Sequence, residues 1–185
     1  MSARVIMIGH RKRSGKDTVA ALLADMGNVE IMRFADPMKR IVSTSLGCTL
    51  GELEQWKNDG GCVTLPDGAW VDARVLLQRF GTEAMKPEFG DSVWVGLLNA
   101  RANASKADFV VVPDFRFPCE LLPGAVTVYV DRPDLPDPDD HISERALEGY
   151  AYDYVVLNDG TLEDLRLQVE SLARLLGIAG YGGVR

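Results

Sequence analysis

The chain of 185 residues contains 20 lysine and arginine residues against 27 aspartate and glutamate residues, which gives a net charge of −7. This acidic balance argues against generic binding to the backbone of a nucleic-acid polymer. No apolar stretch approaches the ~20 residues that span a bilayer, and the N-terminus lacks a signal-peptide pattern, so no membrane partner is expected. The length and the ordinary composition predict a single domain with a substantial core.

The three cysteines, Cys48, Cys62 and Cys119, bear on the compartment of the protein. Their number is odd, and their spacing does not match that of a metal site. They are therefore expected to be reduced thiols, which indicates a cytoplasmic protein.

Segments with the pattern of strands alternate along the chain with segments of helical period. This alternation predicts a parallel sheet with helices on both faces. The predicted strands cover residues 5–8, 29–32, 109–112, 126–130 and 154–157. The predicted helices cover residues 16–26, 37–46, 72–80, 91–104 and 161–177, with Thr161 as the N-cap of the last. Turn residues predict a loop over 57–70, an acidic mobile excursion over 133–140 and a frayed tail from Gly177.

A basic turn joins the first predicted strand to the first predicted helix. It reads His10-Arg11-Lys12-Arg13-Ser14-Gly15-Lys16 and is followed by Asp17 and Thr18. In this context, backbone N–H groups and the helix N-terminus form an anion site, and Lys16 is placed to reach the outer phosphates of a nucleoside triphosphate. Local positive charge in an acidic chain favours a small anionic ligand over a polymer.

The turn departs from the usual loop pattern of Gly, four residues and Gly-Lys-Ser/Thr. His10 stands where the first glycine is expected, and Gly9 lies one residue too early. Asp17 replaces the hydroxyl residue after the lysine, so Asp17 or Thr18 is the candidate for the Mg²⁺ side of the site. The backbone path of the upstream half of the loop is left open. The alternative that this is a basic turn with a solvated Lys16 and no bound phosphate is also left open.

Basic residues in two of the predicted helices are candidates for anion binding. Asp36 and Pro37 resemble an N-cap followed by proline at the first helical position, which puts Lys39 in the first turn. A cation there opposes the helix dipole by ~0.3–1 kcal/mol, a cost that a bound anion would offset. Arg74 and Gln78 share a helix face, so they would either grip a phosphate and a base edge or form a solvated surface.

Further candidates follow the later strands, at the edge where open α/β sheets bind ligands. Asp114 and Arg116 come after the strand over 109–112, where an aspartate could organise Mg²⁺ and an arginine could meet phosphate. Arg132 lies at the base of the acidic excursion, from which it could stabilise a transferring phosphate. For His141, at the far end of that excursion, a structural and a catalytic role both stay open.

Taken in order, six segments resemble those of bacteriophage-type deoxynucleoside monophosphate kinases. They extend over roughly residues 4–170, and the ordered set is more specific than any one of them. The segments are Lys12-Arg13-Ser14-Gly15-Lys16-Asp17-Thr18, Phe34-Ala35-Asp36-Pro37-Met38-Lys39, Gln78-Arg79-Phe80-Gly81-Thr82-Glu83 with Trp94 downstream, Val112-Pro113-Asp114-Phe115-Arg116, His141-Ile142-Ser143-Glu144 and Asn158-Asp159-Gly160-Thr161-Leu162.

The resemblance implies the α/β fold of a three-layer P-loop kinase, with a parallel five-stranded sheet, helices on both faces and a short lid. It implies one domain over residues 1–185, in which residues about 33–95 form an insertion that binds the nucleoside monophosphate and residues about 132–147 form the lid. It also implies an enzyme that uses Mg²⁺ and moves the γ-phosphoryl group of ATP onto a deoxynucleoside 5′-monophosphate. A phage-encoded enzyme of this kind would work in the host cytoplasm.

The resemblance further implies a role for individual residues. Lys16, Arg132 and Asp114 would be catalytic, and Asp17, Thr18 and Asp114 would face the metal, directly or through water. ATP would be held by Arg11, Lys12, Arg13, Ser14, Gly15, Lys16, Asp17, Thr18, Asn158, Gly160 and Thr161. The monophosphate would be held by Arg33, Phe34, Asp36, Lys39, Arg74, Gln78, Arg79, Thr82, Trp94 and Arg116.

Three alternatives remain at this level. The Arg-Ser-Gly-Lys-Asp run and the pair Pro37 and Lys39 also resemble animal-type phosphomevalonate kinases, and the general layout resembles dephospho-coenzyme A kinases. A nucleotide-binding switch without kinase activity is the third alternative, although no lysine follows an asparagine as guanine recognition by Asn-Lys-x-Asp requires. The preferred base, the preferred sugar and the oligomeric state, a homodimer included, are left open.

Overall fold

The computed structural model describes residues 2–9, 11–65, 67–135 and 145–178. Several sequence predictions fall elsewhere. His10, His141, the greater part of the predicted excursion and lid, and the tail after residue 178 lie outside the described residues.

The centre of the fold is a five-stranded sheet whose paired strands all run parallel, which confirms the predicted sheet. Its strands are β1 (Arg4–Gly9), β2 (Val29–Ile31), β5 (Phe109–Phe115), β6 (Val126–Asp131) and β7 (Tyr154–Leu157); β3 (Cys62–Thr64) and β4 (Trp70–Asp72) pair separately as an antiparallel hairpin. The strand order is β2-β5-β1-β6-β7, so β1 lies between β5 and β6. The turn that follows β1 therefore starts from the middle of the sheet.

Helices lie between some of the strands, as the sequence pattern predicted, but several of them follow one another without a strand between them. They are α1 (Lys16–Asp25), α2 (Asp36–Leu46), α3 (Leu50–Asp59), α4 (Ala73–Gln78), α5 (Met85–Phe89), α6 (Val93–Ala104) and α7 (Leu162–Leu176). A π-helix, Arg79–Ala84, continues α4 directly. Within the described ranges, no helix combines the length and the apolar character that crossing a bilayer requires.

Helices α1 and α7 pack on one face of the sheet. Ile6 and Ile8 of β1 share a core with Leu23 of α1 and Val169 of α7, and all four side chains are fully buried. Each such side chain stabilises the fold by ~1.5–3 kcal/mol relative to an exposed position. Met7 lies between the two isoleucines and, because side chains alternate along a strand, it faces the opposite side of the sheet.

The N-terminus of α7 confirms the predicted cap. The Thr161 hydroxyl oxygen accepts a hydrogen bond from the Asp164 N–H at 3.2 Å, and Asp164 Oδ2 accepts one from the Thr161 N–H at 2.9 Å. This reciprocal pair satisfies two backbone donors that the helix itself leaves without partners.

The predicted cap of α2 is wrong by one residue. Ala35 is the N-cap, and Asp36 is the first residue of the helix. Ala35 makes no side-chain cap, but Pro37 in the first turn has no N–H that would need one. Lys39 stays in the first turn, as expected, where its N–H donates to the Ala35 carbonyl at 3.0 Å.

The predicted loop over residues 57–70 is also wrong for half of its length. Helix α3 continues to Asp59, and the hairpin pairs Val63 with Val71. The two strands have three residues each, which is too short for an alternating pattern to be recognised in the sequence. The beginning of α3 carried a signal that was missed, because Thr49 and Glu52 form a capping box.

Strand β5 is longer than predicted and includes Asp114. Met7 of β1 pairs with Val112, whereas Gly9 pairs with Phe115, so β5 has one extra residue in this interval. Such a bulge accommodates Pro113, because proline has no N–H to donate to the neighbouring strand. Asp114 therefore lies within the bulged end of the strand and not beyond it.

The chain divides into two compact units. The first, here called the sheet unit, comprises Met1–Arg33 and Asn99–Arg185 and contains the parallel sheet. The second, here called the inserted unit, is Phe34–Leu98 and contains α2 to α5 and the hairpin.

Candidate functional site

The basic turn of the sheet unit connects the end of β1 at Gly9 to the start of α1 at Lys16. Gly15 is the N-cap of α1 and has φ 105°, a conformation that residues with a side chain rarely adopt. Arg13 has φ 66° and is the one residue other than glycine with positive φ in the part of the chain that the structure describes. Such backbone strain in a non-glycine residue is frequent at functional sites.

Contacts within the sheet unit hold this turn in place. The Lys16 side chain is buried, and its ammonium group donates a hydrogen bond to the carbonyl oxygen of Arg11. From the turn after β7, Asn158 Nδ2 donates to the carbonyl oxygen of Ser14 at 2.8 Å. Asn158 thus supports the turn from a segment 144 residues further along the chain.

The glycine before the turn has a packing role. A Cβ atom on Gly9 would lie 2.6 Å from the Tyr152 hydroxyl and 3.1 Å from a ring carbon of Phe115. Only glycine permits this close approach of the Tyr152 ring to the strand. Gly9 is therefore explained by its neighbours in the sheet unit and not by a displaced loop pattern.

Two further predicted residues contact the turn or the first turn of α1. Arg132 Nη1 donates to the carbonyl oxygen of Arg13 at 3.2 Å. Arg33 Nη2 lies 2.5 Å from Asp17 Oδ1. Arg33 was predicted to bind the monophosphate, whereas Asp17 was predicted to bind ATP and the metal ion. The Thr18 side chain is exposed on α1.

The predicted residues at the end of β5 lie beside β1. Because Gly9 pairs with Phe115, the half-buried Asp114 is next to the position from which the basic turn starts. Arg116 follows directly, and its N–H donates to Glu120 Oε2 at 2.7 Å.

A cavity of about 350 Å³ in the sheet unit was not anticipated from the sequence. Arg11 lines it together with Glu148 and three tyrosines, Tyr129, Tyr150 and Tyr152. The rings of Tyr150 and Tyr152 meet edge to face with centroids 4.8 Å apart, and burial raises the pKa of the Tyr152 hydroxyl. Arg11 therefore lines this cavity, while its carbonyl oxygen accepts a hydrogen bond from Lys16.

The inserted unit contains a pocket of about 360 Å³. It brings together five of the residues predicted for the monophosphate, which are Phe34, Lys39, Arg74, Gln78 and Thr82, and adds a sixth, Trp94. Its other lining residues are Ala35, Met38, Lys57, Leu77, Gly81 and Lys86. Four cations therefore line the pocket, and among these side chains no carboxylate opposes them.

The apolar side of the pocket suits a flat ring. Trp94 Nε1 donates to the carbonyl oxygen of Gly81 at 3.0 Å, which fixes the indole and uses its single donor. A Cβ on Gly81 would lie 2.5 Å from Met38 Sδ, so this glycine lets the thioether pack against the π-helix. Interruptions of α-helices by π-helical turns are frequent at functional sites.

Sequence reasoning missed Lys57 and Lys86 in this pocket. Lys57 lies in α3, which was not predicted, and its place beside Lys39 of α2 depends on how the two helices pack. Lys86 lies in the short helix α5, which periodicity does not reveal in five residues.

Other predicted residues lie apart from the cavity or are engaged elsewhere. Arg79 is exposed and does not line the pocket, and Asp36 is half-buried at the start of α2. Gly160 packs against Asp164, and the Thr161 hydroxyl is used in the cap of α7. Lys12 is exposed on the basic turn.

A parallel sheet with a basic strand-to-helix turn and a buried lysine at its end defines a P-loop protein of the α/β class. The crystal structure of TT1252 from Thermus thermophilus has a similar fold, with a TM-score of 0.53, 20% identity and coverage of 95% of this chain and 99% of its own. This likeness concerns the fold alone, which is the α/β fold predicted from the sequence.

Sequence comparison gives the family. The sequence model described as deoxynucleotide monophosphate kinase matches residues 63–169. A protein of Acanthamoeba polyphaga mimivirus, provisionally named deoxynucleotide monophosphate kinase, is 30% identical in an alignment of 183 positions that covers 86% of this chain and 91% of its own. The chain belongs to the deoxynucleotide monophosphate kinase family, as its motifs predicted.

Two phage relatives match a smaller region. The deoxynucleotide monophosphate kinases of Enterobacteria phage T4 and Escherichia phage RB69 are each 32% identical, over 111 and 108 residues. These alignments cover 46% and 44% of the phage proteins, so the chain spans about half the length of these two curated relatives.

Proposed function

We propose that this protein transfers the γ-phosphoryl group of ATP to a deoxynucleoside 5′-monophosphate and releases ADP and the corresponding diphosphate. The observation that carries the proposal is the pocket of the inserted unit. It combines apolar and aromatic side chains, which suit a base, with four cations, which suit a phosphate. The family membership of the chain supports the same activity.

The basic turn is the site proposed for ATP. Backbone N–H groups of the turn and the N-terminus of α1 would bind the phosphates, and Lys16 would exchange the Arg11 carbonyl for a phosphate oxygen. The buried Ser14 hydroxyl has no hydrogen-bond partner among the described residues. Buried hydroxyl groups generally have a partner, and a bound ligand or its water would provide one.

The pocket of the inserted unit is proposed for the monophosphate. Lys39 and Arg74 would hold its phosphate, and Phe34 and Trp94 would contact the base. Gln78 is exposed at the same pocket and offers both a donor and an acceptor to a base edge. The acceptor phosphate is already anionic at neutral pH, so the transfer needs positioning and charge neutralisation more than a general base.

The first turn of α1 fits Mg²⁺ by its donor chemistry. Asp17 offers a carboxylate and Thr18 a hydroxyl, and hard oxygen ligands of this kind suit the ion. When bound, Mg²⁺ would neutralise charge on the phosphates. The side chain of Asp17 is 75% exposed beside Arg33, so it is accessible for this role.

The test is ADP release from Mg·ATP in the presence of candidate acceptors. The panel consists of dAMP, dGMP, dCMP, dTMP, the matching ribonucleotides, dephospho-coenzyme A and phosphomevalonate. We expect multiple turnover with one or more deoxynucleotides, and the pattern across the panel gives the base and sugar preference. No turnover with any nucleotide would contradict the proposal, and activity with either of the last two acceptors would identify the replacement.

A further inference from the structure

A single carboxylate contacts two of the cations that line the acceptor pocket. Glu54 of α3 forms an ion pair with Lys39 of α2 through Oε1 and with Lys57 through Oε2, the latter at 2.8 Å. The Lys39 side chain is only 13% exposed, and that of Glu54 is 35% exposed. Glu54 itself does not line the pocket. It therefore contacts the two lysines without itself facing the pocket.

The same helix also holds the third cation. Arg74 Nη2 donates a hydrogen bond to the carbonyl oxygen of Lys57 at 3.1 Å. This carbonyl belongs to the last turn of α3, whose carbonyl groups lack partners within the helix. Lys39, Lys57 and Arg74 are thus all tied to α3, two of them through the side chain of Glu54.

The charge on Glu54 suits this arrangement. Three cations around one cavity repel each other, and a carboxylate in contact with two of them offsets that repulsion. Burial raises the pKa of Glu54, but hydrogen bonds and charge from Lys39 and Lys57 outweigh burial and lower it. The carboxylate is therefore ionised at neutral pH.

We infer that Glu54 is a positioning residue of the acceptor pocket, which holds the ammonium groups of Lys39 and Lys57 where the monophosphate binds. This inference rests on the proposed function of the pocket. Glu54 acts on the acceptor only through the lysines, and none of the sequence motifs pointed to it.

Positioning and simple charge predict opposite effects when Glu54 is neutralised. If Glu54 mainly competes with the phosphate for the lysines, Glu54→Gln removes a competitor and strengthens acceptor binding. If Glu54 positions the lysines, the same change releases them and weakens binding. The direction of the change in affinity therefore decides between the two roles.

The experiment compares wild type, Glu54→Gln and Thr49→Ala. Binding of each of the four deoxynucleoside monophosphates is measured by calorimetry without ATP, and steady-state kinetics give the KM of each substrate. We expect Glu54→Gln to raise the Kd and the KM for the acceptor on the order of 10- to 100-fold, as displaced binding groups do, with the KM for ATP unchanged. Thr49→Ala removes the cap of the same helix but no cation contact, so it should lower the Tm and leave both KM values unchanged.

A second comparison tests the route through the lysine. In a Lys57→Met background, the carbonyl partner of Arg74 is retained and one of the two ion pairs of Glu54 is lost. We expect Glu54→Gln to weaken acceptor binding less in that background than in wild type, because residues in one network are not additive.

The outcomes separate this inference from the proposed function. An unchanged or lowered Kd in Glu54→Gln, or an equal rise in Thr49→Ala, overturns the positioning role while the kinase activity stands. Binding of a deoxynucleotide by wild type without turnover overturns the kinase proposal, and the Kd comparison still tests Glu54. Wild type that binds none of the four deoxynucleotides overturns both.

Discussion

Replacing Gly15 with alanine tests how the basic turn is held. Gly15 has φ 105°, and a Cβ placed there would lie 2.5 Å from Asn158 Nδ2. Alanine at this position therefore introduces backbone strain and also displaces the Asn158 side chain. Asn158 is the residue that donates to the Ser14 carbonyl, so the collision breaks a hydrogen bond of 2.8 Å.

The two contributions can be estimated separately. A left-handed conformation costs a residue with a side chain roughly 1–2 kcal/mol. The lost hydrogen bond costs about 0.5–1.5 kcal/mol. Together they predict that Gly15→Ala lowers the free energy of unfolding by about 1.5–3.5 kcal/mol.

Gly124 provides the matched control in the same unit. It has φ 70°, and no atom lies within 4 Å of a Cβ placed there. Gly124→Ala should therefore show the strain alone, about 1–2 kcal/mol. The excess of about 1 kcal/mol in Gly15→Ala corresponds to a Tm lower by about 2–4 °C for a chain of this size. Urea denaturation and thermal melting of both variants measure the difference.

A double variant gives the refuting result. Asn158→Ala removes both the obstacle and the hydrogen bond, so in that background Gly15→Ala should cost no more than Gly124→Ala does in wild type. If Gly15→Ala destabilises the wild-type protein no more than Gly124→Ala does, the hydrogen bond from Asn158 to Ser14 does not support the turn.

Two further predictions concern charge. Lys16→Met should lower kcat by at least ~100-fold with little change in the far-UV circular dichroism spectrum, because it removes one preorganised charge donor of the transfer; near-normal turnover would remove Lys16 from the site. Asp153 accepts hydrogen bonds from the Thr127 N–H and hydroxyl, each at 2.8 Å, and these lower its pKa below the ordinary value of 3.8. A carboxyl group whose folded pKa is lowered stabilises the fold above the unfolded pKa and loses that effect as the pH falls through the folded value. Urea unfolding at pH 6 and pH 3 should therefore show a smaller loss of stability in Asp153→Asn than in wild type, and equal losses would contradict the role of this contact.

The sheet was predictable because its strands and helices carry strong local patterns. The run Phe109-Val110-Val111-Val112 is wholly apolar, as a strand covered on both faces must be, and all four side chains are buried. The last helix combines a capping threonine with apolar residues at helical spacing, and its bounds agree with the prediction to one residue at each end. In both cases tertiary burial and local preference favour the same structure.

The inserted unit was harder to predict because its elements are short. The strands of the hairpin have three residues each, which is too short for a recognisable apolar pattern, and in helix α3 Leu53 is the single buried residue. The family resemblance did imply that Lys39, Arg74 and Gln78 contact one monophosphate, and all three line one pocket. It could not suggest Lys57 or Glu54, because their contacts depend on the placement of α3 against α2.

Three backbone positions at the basic turn, Gly9, Arg13 and Gly15, have different physical explanations. Gly9 is required by the Tyr152 ring, which leaves no room for a side chain at the end of β1. Gly15 is required by its own backbone and by Asn158. Arg13, in contrast, occupies a left-handed conformation that glycine would adopt without strain, at a cost of roughly 1–2 kcal/mol. In a turn proposed to bind phosphate, attraction between the anion and the charged arginine would offset the strain of this backbone conformation.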